Sequence, residues 1–354
     1  MIYSERIQRK IVSAEKTIIQ TMKLMDDGYT KSFLVYSGDQ FLGIITNGDL
    51  QRAIIAGIPF DTSIKSILNN KTKKYGHVGD DIEAIKTWMK EKRAEFMPIL
   101  DSEGHLADVI FWEDVLGDTK KVDTRKIDLP VVIMAGGKGT RLKPLTNVIP
   151  KPLIPIGDKT ILEVIMDQFE EIGCKKFFMS VNYKSDMMRF YIDQLDHKYD
   201  IEFFEEAKPL GTIGSVSLLK GKITTPFFVS NCDNLIDQDF RDVYEYHLSN
   251  HNDITIVTAV KSIKIPYGVI ETGKDGLMTA LKEKPETTFL FNSGVYILNP
   301  DIIEEIPDNE FFHITHLIEK VRNRGGRVGC FPISEHSWRD MGEWPEYLKI
   351  INAL

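Results

Sequence analysis

Near the start of the chain, two short apolar stretches joined by a glycine-containing turn occur twice. Residues 33–50 read FLVYSGDQFLGIITNGDL and residues 98–115 read PILDSEGHLADVIFWEDV, at an offset of 65 without a gap. Leu34-Val35 then pairs with Ile99-Leu100, Ile44-Ile45 with Val109-Ile110, and Asp49 with Asp114. Helix-like stretches precede the strand pairs at Ala14–Met25 and Ile82–Lys92. Further ones follow at Leu50–Ala56 and Glu113–Leu116. A unit that cannot bury its apolar face alone packs against its copy, so the two repeats (about 8–57 and 64–118) are expected to form one pseudo-twofold module over 1–120. Residues 117–128 (GDTKKVDTRKID) carry no apolar period. They read as a linker, with 121–128 separating the module from a second domain over 129–354.

In the second domain the pattern alternates between strand-like and helix-like periods. Val131–Ala135 runs straight into a glycine-rich loop, Phe177–Val181 is a strand, and Phe227–Ser230 is a buried strand leading into Asn231-Cys-Asp-Asn234. Asp253–Val260 and Gly294–Leu298 are further strands. Helices are predicted over Ile161–Ile172 (opened by Thr160, stopped by Gly173), Met187–Leu195, Ser215–Leu219 and Ile314–Asn323. This alternation implies a Rossmann-like α/β domain with a mixed, mostly parallel sheet covered on both faces. Ligands of such sheets sit at the carboxyl ends of the strands, where the loop after Ala135 and the Asp233 loop both lie.

Composition narrows the function. The chain has 44 basic and 52 acidic residues, net charge −8. Residues 1–128 carry 19 and 20, and the remainder 25 and 32, so neither part is basic and a nucleic-acid or membrane-surface binder is disfavoured. Cys174, Cys232 and Cys330 form no CxxC pair. With no signal-like or membrane-length apolar run, a soluble, cytoplasmic setting is expected.

The loop reads Ala135-Gly136-Gly137-Lys-Gly139-Thr140-Arg141-Leu-Lys-Pro-Leu-Thr146 and is followed by Pro150-Lys151-Pro152. Glycines let backbone N–H groups approach a polyphosphate, and Lys138, Arg141 and Lys151 add positive charge. A P-loop requires Gly-Lys-Ser/Thr, but Gly139 follows Lys138. A dinucleotide fingerprint requires a third glycine where Leu142 stands. The segment instead resembles the GGxGTRLxPLT…PKP signature of sugar-1-phosphate nucleotidylyltransferases, and the resemblance extends over 130–345. Pro209–Gly214, with Leu210, Gly211 and Thr212, resembles that family's nucleotide-contacting turn. Cys232-Asp233-Asn234 resembles its first metal aspartate, although the preceding residue is commonly Gly. Tyr267-Gly268-Val-Ile-Glu271, Glu283-Lys284-Pro285 and Asn292-Ser-Gly294 resemble its sugar-phosphate segments, and Trp338-Arg-Asp340-Met-Gly342 its second metal aspartate.

Joining a sugar 1-phosphate to a nucleoside triphosphate brings several negative charges together. The nucleophile is already anionic, so positioning and charge neutralisation suffice. Asp233 and Asp340 are expected to hold Mg²⁺, Arg141 the leaving phosphates, and Lys151 the phosphates being exchanged. Lys284, oriented by Glu283, is expected to pair with the sugar phosphate. Cys232 reads as a small buried residue, and His313 and His316, spaced i, i+3, lack a third metal ligand in the sequence. By register Glu206 falls at the base edge. A carboxylate only accepts hydrogen bonds, and guanine offers adjacent N1–H and N2–H₂ donors, so GTP is expected over UTP or dTTP.

The overall pattern is similar to guanylyltransferases of bacterial surface-glycan pathways acting on glucosamine-, mannose- or heptose-1-phosphate. Together with the N-terminal module it is similar to the type that makes GDP-glucosamine for legionaminic acid synthesis. With 14 residues after Asp340, no acetyltransferase β-helix is expected. Gly43-Ile-Ile-Thr46-Asn-Gly-Asp49 resembles a CBS-domain signature, which implies an adenine nucleotide in the cleft between paired repeats, with Thr46 on phosphate and Asp49 on ribose. The second copy keeps Asp114 but has Asp108 and Phe111 in place of Gly and Thr, so at most one such site is intact. A purely structural module that pairs copies of the chain into a homo-oligomer is the alternative. A catalytically inactive, nucleotide-binding regulator is the second class of function. Against it, Gly137, Gly139, Arg141, Lys151, Asp233, Lys284 and Asp340 are all present.

Overall fold

The computed structural model describes residues 4–69, 73–116, 125–195 and 199–351. The chain divides between Thr124 and Arg125 into two compact units.

The first unit contains two three-stranded sheets of the same topology. β1 (Ile11–Ser13) pairs parallel with β2 (Ser32–Ser37), which turns back into β3 (Gln40–Thr46). β4 (Gly76–His77), β5 (Phe96–Leu100) and β6 (Leu106–Phe111) repeat the arrangement. Helices Ile18–Asp27 and Ile82–Lys92 precede the hairpins, and Asn47–Ile55 and Trp112–Leu116 follow them. The first of these helices starts four residues later than the apolar period indicates. Thr17 and Gln20 form a capping box there, and it satisfies the otherwise orphaned N–H groups of the first turn. The gap-free repeat also slips by one residue in the hairpins. Leu34 faces Ile44, whereas Ile99 faces Asp108, because the second hairpin turns through three residues, Ser102–Gly104, where the first uses Gly38-Asp39. Leu34, Tyr36 and Ile44 of the first copy share one core with Phe96, Leu106, Val109 and Phe111 of the second. The half-buried Glu95 carboxylate of copy two accepts from Thr30 Oγ1, Ser32 Oγ and Lys31 N of copy one at 2.6–3.1 Å. The two repeats therefore form one body.

Residues 117–124 of the expected linker lie outside the described residues. Residues 125–128 belong to the second unit and do not act as spacer. Ile127 N bonds Ile172 O, Lys126 Nζ bonds Glu171 O, and Cys174 Sγ reaches Ile127 O.

The second unit is built on seven strands: β7 (Val131–Met134), β8 (Lys176–Val181), β9 (Asp200–Glu205), β10 (Phe227–Asn231), β11 (Ile254–Lys264), β12 (Glu286–Leu298) and β13 (Val328–Ser334). Their spatial order is β9-β8-β7-β10-β12-β11-β13, and only β12 runs against the rest. Alternation along β10 sends Phe227 and Val229 to one face, where Ile213, Val216, Leu317 and Val321 cover them. Phe228 faces the other way, toward Phe169 and Phe240, whose stacked rings are 4.6 Å apart. Phe169 lies on helix Ile161–Glu171, opened by a Thr160–Glu163 capping box, and Phe240 opens helix Phe240–Ser249. The chain passes from β7 outward to β8 and β9, then returns to place β10 on the other side of β7. The carboxyl ends of β7 and β10 therefore border the switch-point crevice.

Candidate active site

The glycine loop leaves the carboxyl end of β7. Gly139 sits at φ +61°, and a Cβ there would meet Thr146 Cγ2 at 2.8 Å and Lys151 Cβ at 3.0 Å. Thr146 Oγ1 donates to Gly139 O at 2.9 Å, which closes the loop onto the segment that carries Lys151. Ala135 is anchored to Ser180 O on β8. Gly137 and Thr140 stay exposed, and nothing crowds the Gly137 Cα.

Four of the expected residues converge here. Lys151 Nζ donates to Asp233 Oδ2, and the two side chains are only 10% and 11% exposed. An antiparallel ribbon, Asn234–Ile236 with Trp338–Asp340, pairs Asn234 with Asp340 and so brings the second aspartate beside the first. Met341 N donates to Asp233 O, and Trp338 Nε1 to Asn234 Oδ1. Arg141 reaches all the carboxylates: Asp233 at 3.9 Å, Asp340 at 3.6 Å and Glu343 at 3.0 Å. Two nearby residues did not emerge as site residues from the sequence. Gly342 donates its N–H to Asp340 Oδ1, and a Cβ on it would lie 2.7 Å from both that oxygen and Lys151 Nζ. Glu343 is the hydrogen-bond partner of Arg141. Gly342 was visible as the end of the second aspartate motif. Glu343 carried no signal, because only the fold brings it to a residue 202 positions earlier.

Glu206 departs from a free base-reading carboxylate. It is buried; Oε1 accepts from Ser180 Oγ at 2.7 Å and Oε2 from Leu210 N at 2.9 Å, with Ser180 Oγ also 3.0 Å from Ser215 Oγ. Each oxygen retains a free lone pair, and Oε1 lies against Gly136. The carboxylate thus ties the end of β9 to the Leu210–Gly214 turn beneath the glycine loop. That turn is docked on residues 310–314. Phe312 N donates to Leu210 O, Ile213 N and Gly214 N donate to Phe312 O, and Ile314 N donates to Thr212 Oγ1. The close approach needs Gly211, at φ +85°, where a Cβ would meet Phe312 O at 2.6 Å.

The expected sugar-phosphate segments lie on β12 and on the hairpin Val269–Thr272 with Met278–Lys282. Asn292 is exposed mid-strand and accepts from Gly294 N. Tyr267, Glu283 and Lys284 are exposed at the hairpin base, where Glu283 Oε2 lies against Gly268 and Lys284 takes a left-handed backbone at φ +46°.

In the first unit, Thr46 and Asp49 form the capping box of helix Asn47–Ile55. The Asp49 carboxylate also accepts from Lys73 and Arg52, each at 2.6 Å. Burial pushes Asp49 upward, but the Lys73 and Thr46 bonds outweigh it and hold the carboxyl below its ordinary range. Asp114 is taken by Arg6 at 2.6 Å, and the Arg6 guanidinium also lies 3.9 Å over the Phe111 ring.

The Cys232 thiol is pushed by burial up to about 12, so beside Asp233 it is a packing residue and not a thiolate nucleophile. His313 caps helix Ile314–Asn323, and among the described residues no three His, Cys, Asp or Glu side chains gather as a metal cage. Two carboxylates one ribbon pair apart suit an oxygen-preferring cation such as Mg²⁺, which takes its remaining ligands from phosphate and water. Asp233 and Asp340 would hold it. Also among the described residues, no helix is long and apolar enough to cross a membrane.

A switch-point crevice bordered by a glycine loop, two cations and two aspartates defines a phosphate-handling α/β domain. Residues 130–354 match the nucleotidyl transferase family, and the chain belongs to it. It is 35% identical over 233 residues to a mannose-1-phosphate guanyltransferase of Pichia angusta, covering 61% of this chain and 62% of that one. It is 34% identical over 182 residues to a mannose-1-phosphate guanylyltransferase catalytic subunit beta of Drosophila pseudoobscura pseudoobscura, covering 49% of each. The chain thus spans between half and about three-fifths of these relatives. Among solved structures, HddC from Yersinia pseudotuberculosis superposes with TM-score 0.51 at 29% identity, covering 64% of this chain and 99% of that one. Its complex with GMP-PN gives 0.50 at 27%, covering 64% and 99%.

Proposed function

We propose that the second unit is a guanylyltransferase that joins GMP from GTP to a hexose 1-phosphate. A sugar-phosphate oxygen attacks the α-phosphorus, the α–β P–O bond breaks, and pyrophosphate leaves. The convergence of Arg141, Lys151, Asp233 and Asp340, from four separate stretches of chain, carries this reading. Mg²⁺ held by Asp233 and Asp340 would neutralise charge on the phosphates. Lys151 keeps Asp233 oriented and offers its ammonium to the exchanged phosphates, Arg141 holds the leaving phosphates, and Lys284 pairs with the sugar phosphate. The names of the Pichia and Drosophila relatives favour mannose-1-phosphate, and the combined sequence pattern favours glucosamine-1-phosphate, leading to GDP-glucosamine and legionaminic acid.

The deciding experiment is pyrophosphate release with Mg²⁺, crossing GTP, UTP, dTTP, CTP and ATP against mannose-, glucosamine-, N-acetylglucosamine- and glucose-1-phosphate. Release with GTP and one sugar, abolished in Asp233→Asn, supports the reading. Silence throughout, with and without AMP or ATP, points to the inactive regulator instead. Glu206, with one lone pair free on each oxygen, is assigned to the guanine edge. Unchanged GTP/UTP discrimination in Glu206→Gln would leave it only the turn-holding role.

For the first unit we propose a paired CBS module that takes one adenine nucleotide at Thr46 and Asp49 and joins copies of the chain. Asp49 must then exchange Lys73 for ribose hydroxyls, so Lys73→Met is expected to change AMP affinity measured by calorimetry. No AMP or ATP binding in either protein leaves the purely structural role, which sedimentation of the chain tests directly.

A further inference from the structure

Arg141 faces three carboxylates but is hydrogen-bonded to only one of them. Its Nη1 lies 3.0 Å from Glu343 Oε1, whereas the approaches to Asp340 and Asp233, at 3.6 and 3.9 Å, are longer than hydrogen bonds. Glu343 is held in place from both sides. Before it, Gly342 packs so closely that a Cβ there would stand 2.7–2.9 Å from Asp340 Oδ1, Lys151 Nζ and Arg141 Nη2. After it, Trp344 Nε1 donates to Lys143 O at the far end of the glycine loop. Further on, Tyr347 OH donates to Pro155 O. The segment 342–347 is therefore strapped across the loop that carries Arg141.

We propose that Glu343 is a positioning residue that holds the Arg141 guanidinium off Asp233 and Asp340, leaving the carboxylate lone pairs that Lys151 and Gly342 do not occupy to a divalent cation. A guanidinium has five donors in a planar fork that suits carboxylates. Deprived of Glu343, it has two aspartates within 4 Å to close upon. Arginine and the divalent cation then compete for the same oxygens. Glu343 decides that competition through its hydrogen bond to Arg141.

The proposal rests on the metal role given above to Asp233 and Asp340, and the test separates the two. Binding of α,β-methylene-GTP to the full chain is measured by calorimetry with Mn²⁺ and with EDTA, and the ratio of the two affinities reports metal-dependent tightening. The parent chain is expected to show at least a tenfold ratio, and a ratio of one sinks the metal reading itself. Glu343→Gln is expected to cut the ratio three- to tenfold with its thermal midpoint unchanged; an unchanged ratio overturns the positioning role and leaves the metal reading intact. Removing a nearby negative charge also weakens cation binding through space, so the parent and Glu343→Gln measurements are repeated in an Arg141→Met background. If Glu343 acts through Arg141, Glu343→Gln has no further effect there. A loss of the same size in that background overturns the proposal.

Discussion

Gly342 offers a sharp test of the candidate-site geometry, because the three atoms nearest its Cβ position are the tips of three side chains assigned to the site. An alanine methyl there would stand 2.7 Å from Asp340 Oδ1, 2.7 Å from Lys151 Nζ and 2.9 Å from Arg141 Nη2. Non-bonded heavy atoms settle near 3.5 Å, so each tip must withdraw by roughly 0.7 Å. Misplacement on the order of 1 Å costs about 100-fold in rate, equivalent to about 2.7 kcal/mol in the barrier. The atoms that yield are ends of flexible chains, and Gly342 does not have a left-handed backbone. Stability is therefore expected to change by about 1 kcal/mol or less, a shift of roughly 2–4 °C in midpoint for a unit of this size. Pyrophosphate release at limiting GTP gives kcat/KM, and thermal unfolding gives the midpoint. Activity within threefold of the parent would refute the proposed roles of the three side chains. A collapse of the midpoint would refute the claim that the crowding is confined to side-chain tips. Gly294→Ala is the contrasting case. At φ +81° and 2.5 Å from the Nδ2 atoms of both Asn231 and Asn234, it combines backbone strain with a clash and should lose stability along with activity.

Three further outcomes follow from the same physical reasoning. Lys151→Met leaves the Asp233 carboxylate buried with only the more distant Arg141 for company, and should cost about 3 kcal/mol in thermal unfolding; adding Asp233→Leu should recover much of it. Glu95 is pushed upward by burial, but the Ser32, Lys31 and Thr30 bonds and the Lys10 cation hold it below its ordinary 4.5. The unfolded chain therefore takes up this proton first, and the stability is present above about pH 4.5 and lost as the pH falls through the lowered value. Acid unfolding of the first unit between pH 6 and 3 should be shallower in Glu95→Gln. Thr160→Ala removes the capping box of helix Ile161–Glu171 and should cost about 1 kcal/mol in denaturant unfolding.

The parts legible in the sequence were those with a local cause. Helices Ile82–Lys92 and Ile314–Asn323 were readable to the residue from their apolar periods, with Asp81 capping the first and Gly325-Gly326 standing just beyond the second. The glycine loop announced itself through spacing alone. Helix Phe240–Ser249 was missed although Asp239 caps it, since Tyr, His and Arg interrupt its apolar stripe. β13, with its early glycine and central proline, reads as a loop until β11 supplies the ladder beside it. The active site divides in the same way. Arg141, Lys151 and Asp233 lie in or beside motifs, whereas the contact of Glu343 with Arg141 exists only once β10, the small ribbon and the segment after it are in place. Glu206 marks another limit, because register could not show that Ser180 and Leu210 each hold one of its oxygens.

β12 is the one reversed strand of the seven-stranded sheet, and it carries the residues proposed for the sugar side differently from the others. The parallel strands deliver residues to the crevice from the loops beyond their ends, but β12 passes the carboxyl end of β10 in mid-course and presents Asn292 and Gly294 from within the ladder. Loop residues can be exchanged, lengthened or shortened without unsettling a sheet. A mid-strand residue is fixed to its neighbours by pleat and hydrogen bonds, and moving it by one position turns its side chain to the opposite face. Efforts to alter the proposed sugar preference from this side of the crevice therefore meet a constraint. The β12 side accepts substitutions in place but not insertions, so that wall of the crevice is slow to diverge.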